Sequence, residues 1–493
     1  MIKRSLPFIG IIWVISTTGC LRQNPDIALQ TIFDDAWSFR LKENPLFATG
    51  VGVHTANDRL PLVTEEDIQR RAHYWQDILQ RLDSIEQSGL NEKSRINYRI
   101  FHRVVEDRLA DTKFKAYLMP LNADSGFHIG LARLPKGIPL KSVADYENYI
   151  ARLNAIPDYI AQHITLMREG IRTGMTVPQI VLKGYNVTIS THVVNNPEES
   201  VFYEPFFSFP VSIPSHEYDR LREAGGKAVM TGAVEGYKQF LTFFNDEYYP
   251  NARKTIGASE FPDGRAYYEQ RARHFTTLDL SPEEIYKVGL KEVERIKKEM
   301  TDIIKEVGFE GTFQDFLNFL RTDRQFYAKT PEDLLKEASF IAKKMDAQLP
   351  SLFKNLPRLP YGVQAVPEHI APKYTGGRYV GPAQGSREPG YYWVNTYALE
   401  IRPLYNLEAL TLHEAVPGHH LQNAIARELE DVPKFRRHLS LSAFGEGWGL
   451  YSEWLGLEAG FYTDPYNNFG RLTYEMWRAC RLVVDTGIHA FGW

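Results

Sequence analysis

The segment Ser281–Glu306, SPEEIYKVGLKEVERIKKEMTDIIKE, has the pattern of a long amphipathic helix. A serine followed by a proline, with Glu284 three residues after the serine, is a helix-start signal. The serine hydroxyl and the glutamate carboxylate can accept hydrogen bonds from backbone N–H groups of the first turn. Apolar residues then recur at steps of three and four at Ile285, Val288, Val293, Ile296, Met300 and Ile303. One apolar face is the mark of a helix packed against a core.

Two other segments carry similar start signals. Thr64 precedes three acidic residues, and apolar residues recur on one face from Ile68 to Leu82, which predicts a second helix. Thr330-Pro331-Glu332 predicts a third helix that runs to about Phe353. Strand signals are sparse. The best short candidates are Val177–Leu182, Val187–Val194 and Tyr391–Tyr397. The sequence therefore predicts a mainly α-helical protein.

The length and composition bound the domain organisation. The 493 residues allow two to four domains at roughly 100–200 residues each. A weak boundary signal lies just before Phe261-Pro262-Asp263-Gly264, which predicts an N-terminal helical region at 20–260 and a C-terminal region at 261–493. Proline and glycine cluster in residues 356–390. Long irregular connections of this kind are often functional.

Charge and cysteine content exclude several functional classes. The net charge is −4 and no block of basic residues is present, so we do not expect nucleic acid as a partner. The only cysteines are Cys20 and Cys480. Two cysteines cannot form a disulfide framework, nor can they supply a Cys-rich zinc or iron–sulfur site.

The N-terminus has the pattern of a secretory signal. Lys3 and Arg4 precede a short apolar run from Leu6 to Ile15, and Gly19 and Cys20 follow. A bilayer core needs about 20 apolar residues, so this run is too short to span one. A positive start, a short apolar stretch and small residues are typical of a cleaved signal peptide.

The ending Gly19-Cys20 resembles the lipobox of bacterial lipoproteins, in which the signal is cut before a cysteine that becomes acylated. The lipobox usually begins with Leu, and this chain has Thr17 at that place. The resemblance implies that residues 1–19 are a signal peptide and that Cys20 carries a lipid anchor to the cell envelope. Leu21 in place of an aspartate favours the periplasmic side of the outer membrane. A plain secreted signal is the alternative.

Residues suited to metal chemistry concentrate near the C-terminus. The central stretch is Leu412-His413-Glu414-Ala415-Val416-Pro417-Gly418-His419-His420, and Gly445-Glu446-Gly447 follows it. Catalytic zinc takes three imidazole or carboxylate ligands and keeps a position for water. The metal lowers the pKa of that water and a nearby carboxylate takes its proton. Glu414 points to a different side of the helix from His413, which suits a base rather than a ligand.

The spacing of the histidines is unusual. Zinc-peptidase helices place two histidines at i and i+4, and Pro417 occupies that place after His413. Proline cannot donate the helical hydrogen bond and crowds the carbonyl of His413. We therefore expect a bulge or kink between the ligands, as is frequent at functional sites. The spacing alone does not choose between His419 and His420.

The block His413–Gln422 is similar to the signature of a bacterial family known as domain of unknown function 885, whose members are mostly expected to be zinc-dependent peptidases and often lipoproteins. The family motif His-Glu-x-x-Pro-Gly-His-x-x-Gln matches this block, and a later Gly-Glu-Gly matches Gly445-Glu446-Gly447. The resemblance continues to Gly492-Trp493 and extends less specifically back to about residue 30.

The resemblance implies a large helical zinc-peptidase-like fold with a few short β-strands near the active site. It also implies one Zn²⁺ per chain, with His413, His419 and Glu446 as ligands and Glu414 as the base. Family members continue beyond the Gly-Trp that ends this chain. The zinc-binding catalytic region at 261–493 is therefore expected to be a C-terminally truncated form.

Further residues are candidates for orienting a ligand or binding substrate. Glu453 is a candidate partner for a ligand histidine, and His420 is a bystander or such a partner. Asp485 and His489 stand four residues apart on a predicted helix, where they either serve the site or form a structural pair. The run Gly390–Thr396, which contains Asn395, is either an edge strand that pairs with an extended peptide or simply a packed strand. Arg478 and Arg481 are candidates for receiving a substrate carboxylate.

The sequence thus predicts a lipid-anchored zinc metallopeptidase that hydrolyses peptide bonds with metal-activated water and Glu414 as general base. One alternative is a catalytically impaired or non-catalytic lipoprotein of the same fold that binds peptides. Another is a metal-dependent hydrolase of a different amide or ester.

Overall fold

The computed structural model describes residues 24–368, 371–382 and 388–493. The signal peptide predicted at residues 1–19 and the predicted lipid attachment at Cys20 lie outside these ranges. The described residues are mainly helical and form one small sheet, so the predicted fold class is confirmed. In these ranges, no helix is both long and apolar enough to cross a bilayer.

Helices follow one another through the N-terminal half of the chain. They are α1 (Pro25–Glu43), α2 (Pro45–Gly50), α3 (Glu65–Asp83), α4 (Glu92–Lys113), α5 (Phe127–Ala132), α6 (Leu134–Gly137), α7 (Val143–Asn154), α8 (Ile156–Thr173), α9 (Val187–Ser190), α10 (Glu204–Phe207), α11 (Tyr218–Ala228), α12 (Glu235–Phe243) and α13 (Tyr249–Asn251). Single π-helical stretches at Val229–Val234 and Phe244–Tyr248 flank α12.

The C-terminal half has fewer and longer helices. They are α14 (Gly264–Thr276), α15 (Pro282–Glu306), α16 (Phe313–Thr322), α17 (Pro331–Asp346), α18 (Leu349–Leu352), α19 (Leu407–Glu414), α20 (His419–Glu428), α21 (Lys434–Arg437), α22 (Ser442–Glu458) and α23 (Pro465–His489). Three strands lie between α18 and α19, namely β1 (Tyr361–Ala365), β2 (Gly377–Val380) and β3 (Gly390–Val394).

Local start signals set the helix boundaries where the sequence indicated them. Ser281 accepts a hydrogen bond from the backbone N–H of Glu284, and the Glu284 carboxylate accepts one from the backbone N–H of Ser281. The hydroxyl of Thr64 caps α3 in the same way through the backbone N–H of Asp67. The predicted third helix, however, ends at Asp346 instead of Phe353, and the separate α18 follows it. Pro350 lies in the first turn of α18, where a proline fits but cannot continue a preceding helix.

Two of the three predicted strands are wrong. Residues 179–182 form a 3₁₀ turn and residues 187–190 form the short α9. Leu182 and Ile189 bury their side chains in the N-terminal core. The described strands all belong to a sheet elsewhere, so this segment has no strand to pair with. Side-chain burial overrides the β-propensity of the segment.

Several apolar cores stabilise the molecule, and one of them joins α1, α3 and α4 to Phe435 of α21. The largest core lies among α7, α8, α11 and α12. In the C-terminal half, α15 packs along α23, and a Cβ on Gly289 would lie 2.9 Å from the side chain of Leu482, so the two helices approach closely. A further core beneath α19 contains Leu412, Tyr392 and Val394. This core joins α19 to the sheet and fixes the position of the histidine motif.

The sheet has the order β1-β3-β2, with β1 parallel and β2 antiparallel to β3. The strand predicted at Tyr391–Tyr397 is present as β3, but it lies in the centre of the sheet. The interpretation of this run as a packed strand is therefore confirmed and the edge-strand interpretation is wrong, because β1 and β2 are the edge strands. Nothing in the structure tests the predicted boundary near residue 260, which stays a prediction.

Candidate metal centre

The histidine motif spans a break between two helices. The first helix, α19, ends at Glu414 and α20 begins at His419, so the break predicted at Pro417 is confirmed. A Cβ on Gly418 would lie 1.8 Å from the carbonyl oxygen of His413, and only glycine fits this approach. The indole N–H of Trp448 donates a hydrogen bond of 2.8 Å to the carbonyl of Pro417. These contacts fix the direction of the chain between the two helices, so that His419 lies close to His413.

One face of α22 supplies the remaining parts of the site. Glu446, Gly449 and Glu453 are spaced by three and four residues, so they share a face of the helix. A Cβ on Gly449 would lie 2.5 Å from the ring of His413. The missing side chain thus lets the imidazole pack directly on the α22 backbone, between the two carboxylates.

The structure brings His413, His419 and Glu446 together. Their potential ligand atoms all lie within 4.8 Å of one another. His413 Nε2 is 3.7 Å from Glu446 Oε2, and His419 Nε2 is 3.9 Å from Glu446 Oε1. Ligand atoms on tetrahedral zinc lie about 3.3 Å apart. The largest separation allowed here exceeds that spacing by about 1.5 Å. Two imidazole nitrogens and a carboxylate oxygen would therefore fit a zinc ion after side-chain movements of up to that size.

Glu453 and Arg478 orient His413 from behind. The Nδ1 atom of His413 is 2.7 Å from Glu453 Oε1, and both residues are buried. Arg478 Nη2 is 2.9 Å from the same carboxylate oxygen. The carboxylate of Glu453 can accept a hydrogen bond from Nδ1–H of His413, which leaves the Nε2 lone pair free to bind a metal. Ligand histidines usually have a hydrogen-bond partner of this kind. Arg478 thus contacts the carboxylate that orients His413.

The charges in the cluster favour a bound cation. Burial by itself disfavours the charged form of His413, but the carboxylates of Glu446 and Glu453 outweigh it and raise the pKa of His413 to about 9. The hydrogen bond with His413 lowers the pKa of Glu446. Burial and the charge of His413 lower the pKa of His419. Strongly perturbed pKa values beside specific charge partners in a cleft are typical of functional sites.

Glu414 faces the same pocket but is held by another element. Its Oε2 atom accepts a 2.8 Å hydrogen bond from the backbone N–H of Tyr379 in β2. Burial raises the pKa of this carboxyl group. The pocket has a volume of about 510 Å³ and is lined by His413, Glu414, His419 and Glu446. A carboxylate beside the three clustered groups is the arrangement that a general base needs.

His420 lies away from the cluster. Its ring packs against Tyr361, and its Nδ1 atom is 3.3 Å from the hydroxyl of Tyr379. Burial lowers the pKa of His420 to about 4, so the ring is neutral. The geometry therefore selects His419 over His420 as the companion of His413.

Other candidate residues do not reach the pocket. Asp485 accepts a hydrogen bond of 2.6 Å from the hydroxyl of Tyr268, and His489 Nδ1 accepts one from the backbone N–H of Ala258. Arg481 packs over the ring of Trp477 on its own helix. His489 Nε2 also lies 3.8 Å from Asp485 Oδ1, so the two residues form a structural pair. These contacts tie α23 to the α14 region and to itself.

Asn395 is fully buried and organises the loop before β2. Its side-chain amide donates to the carbonyls of Ala371, Tyr374 and Thr375, and its Oδ1 atom accepts from the backbone N–H of Tyr397. Thr375 lines the pocket, so Asn395 shapes the pocket wall without touching its contents.

Sequence reasoning missed two residues of β2. Arg378 and Tyr379 line the pocket, although nothing in their sequence spacing links them to His413. The Pro- and Gly-rich composition of residues 356–390 indicated a functional segment, but it did not indicate which of its residues line the pocket.

A family described as bacterial protein of unknown function (DUF885) matches residues 45–493. The chain belongs to the DUF885 family. No curated protein matches it.

Two solved structures share the fold of this DUF885 chain. One is a candidate lipoprotein from Colwellia psychrerythraea, with a TM-score of 0.85, 24% identity, and coverage of 96% of this chain and 85% of that chain. The other is a candidate lipoprotein of unknown function from Shewanella oneidensis, with a TM-score of 0.67, 16% identity, and coverage of 94% and 83%.

Proposed function

We propose that this DUF885 protein is a zinc-dependent metallopeptidase. The observation that carries the proposal is the convergence of His413, His419 and Glu446 beside the buried carboxylate of Glu414. Glu453 supports it further, because it orients the ring of His413. A structural zinc site has four protein ligands, whereas three ligands facing a pocket are typical of catalytic zinc.

Each residue of the site has a separate role in the proposed reaction. A zinc ion held by His413, His419 and Glu446 would supply a water of lowered pKa and would polarise the substrate carbonyl. Glu414 takes the proton from the attacking water and passes it to the leaving amine. The backbone N–H of Tyr379 holds one oxygen of Glu414, and the other oxygen remains for the proton. No covalent intermediate is needed.

Arg378 supplies positive charge to the same pocket. It lines the pocket, and no ion pair joins it to another described residue. Its charge works against the effect of burial on the pKa of Glu414. A cation of this kind suits the negative charge that develops on a carbonyl oxygen in the transition state.

The edge strand β2 favours a peptide as the substrate over another amide or an ester. Asn395 N–H donates to the carbonyl of Gly376, so the antiparallel register turns the backbone groups of Gly377 away from β3. Gly377 also lines the pocket. An extended peptide could therefore pair with β2 while its scissile bond lies beside Glu414.

The decisive experiment compares the zinc-loaded wild type with Glu414→Gln on a mixture of unrelated peptides. Mass spectrometry should detect cleavage by the wild type alone, with zinc content equal in both. Peptides that bind without cleavage would instead support the non-catalytic alternative. Cleavage of esters or other amides but not of peptides would support the second alternative.

We further propose that the mature protein is a cell-envelope lipoprotein anchored through Cys20 to the outer membrane, on its periplasmic side. The Gly19-Cys20 sequence supports this, and so does the description of both structural neighbours as candidate lipoproteins. The expected result is partition of the wild type, but not of Cys20→Ser, into detergent phase and outer-membrane fractions. Equal partition of the two proteins would contradict the anchor.

A further inference from the structure

A second cavity adjoins the candidate metal centre. Leu439 and Ser440 line both the pocket beside Glu446 and a neighbouring cavity of about 290 Å³. Arg40 from α1 and Arg108 from α4 line that neighbouring cavity. The same two arginines also line a third cavity of about 410 Å³. A row of cavities therefore leads from the metal centre to a pair of arginines in the N-terminal helices.

The two guanidinium groups have no carboxylate partner. Among the described residues, neither Arg40 nor Arg108 forms an ion pair, and Arg108 Nε is buried without a hydrogen bond. The guanidinium of Arg40 lies 3.5 Å from the ring centroid of Phe47, and that of Arg108 lies 4.8 Å from the ring of Trp75. Stacking on a ring face leaves the N–H edge of a guanidinium available for an anion.

The carboxylates nearby are already neutralised. Glu43 and Asp111 line the third cavity. Glu43 lies 2.6 Å from Arg70, and Asp111 lies 2.9 Å from Arg271, two arginines outside the cavity lining. Arg71 also lines the cavity and lies 3.8 Å from Glu43, so the lining holds three arginines and two carboxylates. The cavity therefore keeps an excess of positive charge.

The two arginines lie near enough to affect each other. Burial, together with the charge of Arg108, lowers the pKa of Arg40 to about 10. Burial also lowers the pKa of Arg108. The charge of Asp111 opposes the effect of burial on the pKa of Arg108, but in the described part of the chain it forms no ion pair with this arginine. Two half-buried like charges without a directly bound counter-ion are unfavourable, and an anion between them removes that cost.

We propose that Arg40 and Arg108 form a binding site for a carboxylate of the peptide substrate, reached through the cavity beyond Ser440. The proposal rests on the proposed peptidase function. Arginine pairs bind carboxylates with several charge-assisted hydrogen bonds. The cavity continues past the arginines, so the carboxylate comes from either the C-terminus or an acidic side chain.

Binding to the zinc-loaded Glu414→Gln protein separates these sources and does not depend on turnover. The probes are three fluorescent alanine-rich peptides that carry a free C-terminus, a C-terminal amide, or a C-terminal amide plus one aspartate. A series of lengths covers the distance from the metal centre. We expect at least one carboxylate-bearing peptide to bind more tightly than the plain amide, and the tighter peptide identifies the source.

Arg40→Gln and Arg108→Gln should each weaken binding of the preferred carboxylate-bearing peptide by about 10- to 100-fold. Binding of the plain amide peptide should change little. Arg40→Lys keeps a positive charge and should keep most of the preference, which guards against a folding defect. Arg99→Gln is the matched control, because Arg99 is an exposed residue of α4 outside these cavities.

Two outcomes overturn the carboxylate site. One is equal binding of all three peptides by the parent protein, including no binding of any. The other is a carboxylate preference that both glutamine variants retain. Hydrolysis of peptides by the wild type without a carboxylate preference would leave the proposed function standing. A preference that depends on these arginines, in a protein that cleaves no peptide, would leave the carboxylate site standing.

Discussion

Two buried histidines in different halves of the molecule have opposite electrostatic environments. His413 on α19 contacts the carboxylates of Glu453 and Glu446, and its pKa is raised to about 9. His163 on α8 stacks on Phe127 at 4.0 Å, and burial lowers its pKa to about 3. The two residues are 5% and 7% exposed, so burial alone does not explain the difference.

The neighbours of each imidazole ring explain the difference in pKa between the two histidines. Neither ring nitrogen of His163 has a hydrogen bond to a residue in the described ranges, so His163 behaves as an apolar ring in an aromatic core. Two carboxylates and a second histidine surround His413. In this molecule, therefore, the converging carboxylates and second histidine, and not burial, distinguish His413 as a candidate metal ligand.

The largest expected effect concerns the base beside His413. Glu414→Gln removes the group that accepts the proton, so peptide hydrolysis should fall by about 10²- to 10⁴-fold while zinc binding persists. Glu408→Gln is the matched control, because Glu408 is a buried carboxylate of the same helix that contacts the backbone of Tyr462. Steady-state rates at equal zinc content test this, and similar losses in both variants would refute a special role for Glu414.

Zinc affinity should separate the two histidines directly. His413→Ala removes a ligand and should weaken zinc binding by more than about 100-fold, since even the loss of a ligand's partner costs 10- to 100-fold. His163→Leu should bind zinc as the wild type does. His420→Ala should also retain zinc, whereas His419→Ala should not. Competition with a chromogenic chelator measures these affinities, and the opposite order for His419 and His420 would reverse the ligand assignment.

Substitution of Glu453, the carboxylate that orients His413, should have a smaller effect on zinc affinity. Glu453→Gln keeps the size of the side chain but loses its charge, and we expect zinc binding to weaken by about 10- to 100-fold. Arg478→Gln should act in the same direction and less strongly, because Arg478 contacts Glu453 rather than the metal-facing atom. The same chelator titration applies. Unchanged affinity in Glu453→Gln would mean that Glu453 has only a structural role.

The smallest effect concerns the stability contributed by His163. Its folded-state pKa lies below the ordinary value, so only the unfolded chain takes up this proton between pH values of about 6.5 and 3. The contribution is therefore full above about pH 6.5 and decreases as the pH falls. At about pH 5.5 the free energy of unfolding is lower than its value above pH 6.5 by about 1.4 kcal/mol because of this group. His163→Leu should reduce the acid dependence of the melting temperature in calorimetry, and an identical dependence in both proteins would disprove this account.

Local signals in the sequence predicted much of the helical structure. The caps at Thr64 and Ser281 act within one turn, so their residues could be read without knowledge of the fold. The break at Pro417 was predictable for the same reason. The strands proposed at residues 177–194 failed because packing of Leu182 and Ile189 into the N-terminal core overrides their β-propensity.

Parts of the site that depend on tertiary contacts were not predictable. Tyr379 reaches Glu414 across 35 residues, and the connection is a single backbone hydrogen bond. Arg40 and Arg108 come from helices with no motif in common with the histidine block. Asp485 and His489 do approach each other, with His489 Nε2 3.8 Å from Asp485 Oδ1, but the fold places this structural pair against Tyr268 and Ala258 and outside the pocket.

The most direct test of the metal centre is the zinc content of the purified full-length protein, measured by mass spectrometry after exposure to zinc and removal of loosely bound metal. The account predicts about one zinc per chain in the wild type and in His163→Leu, with almost none in His413→Ala. Less than about 0.2 zinc per chain in the wild type, or equal zinc in all three proteins, would contradict it.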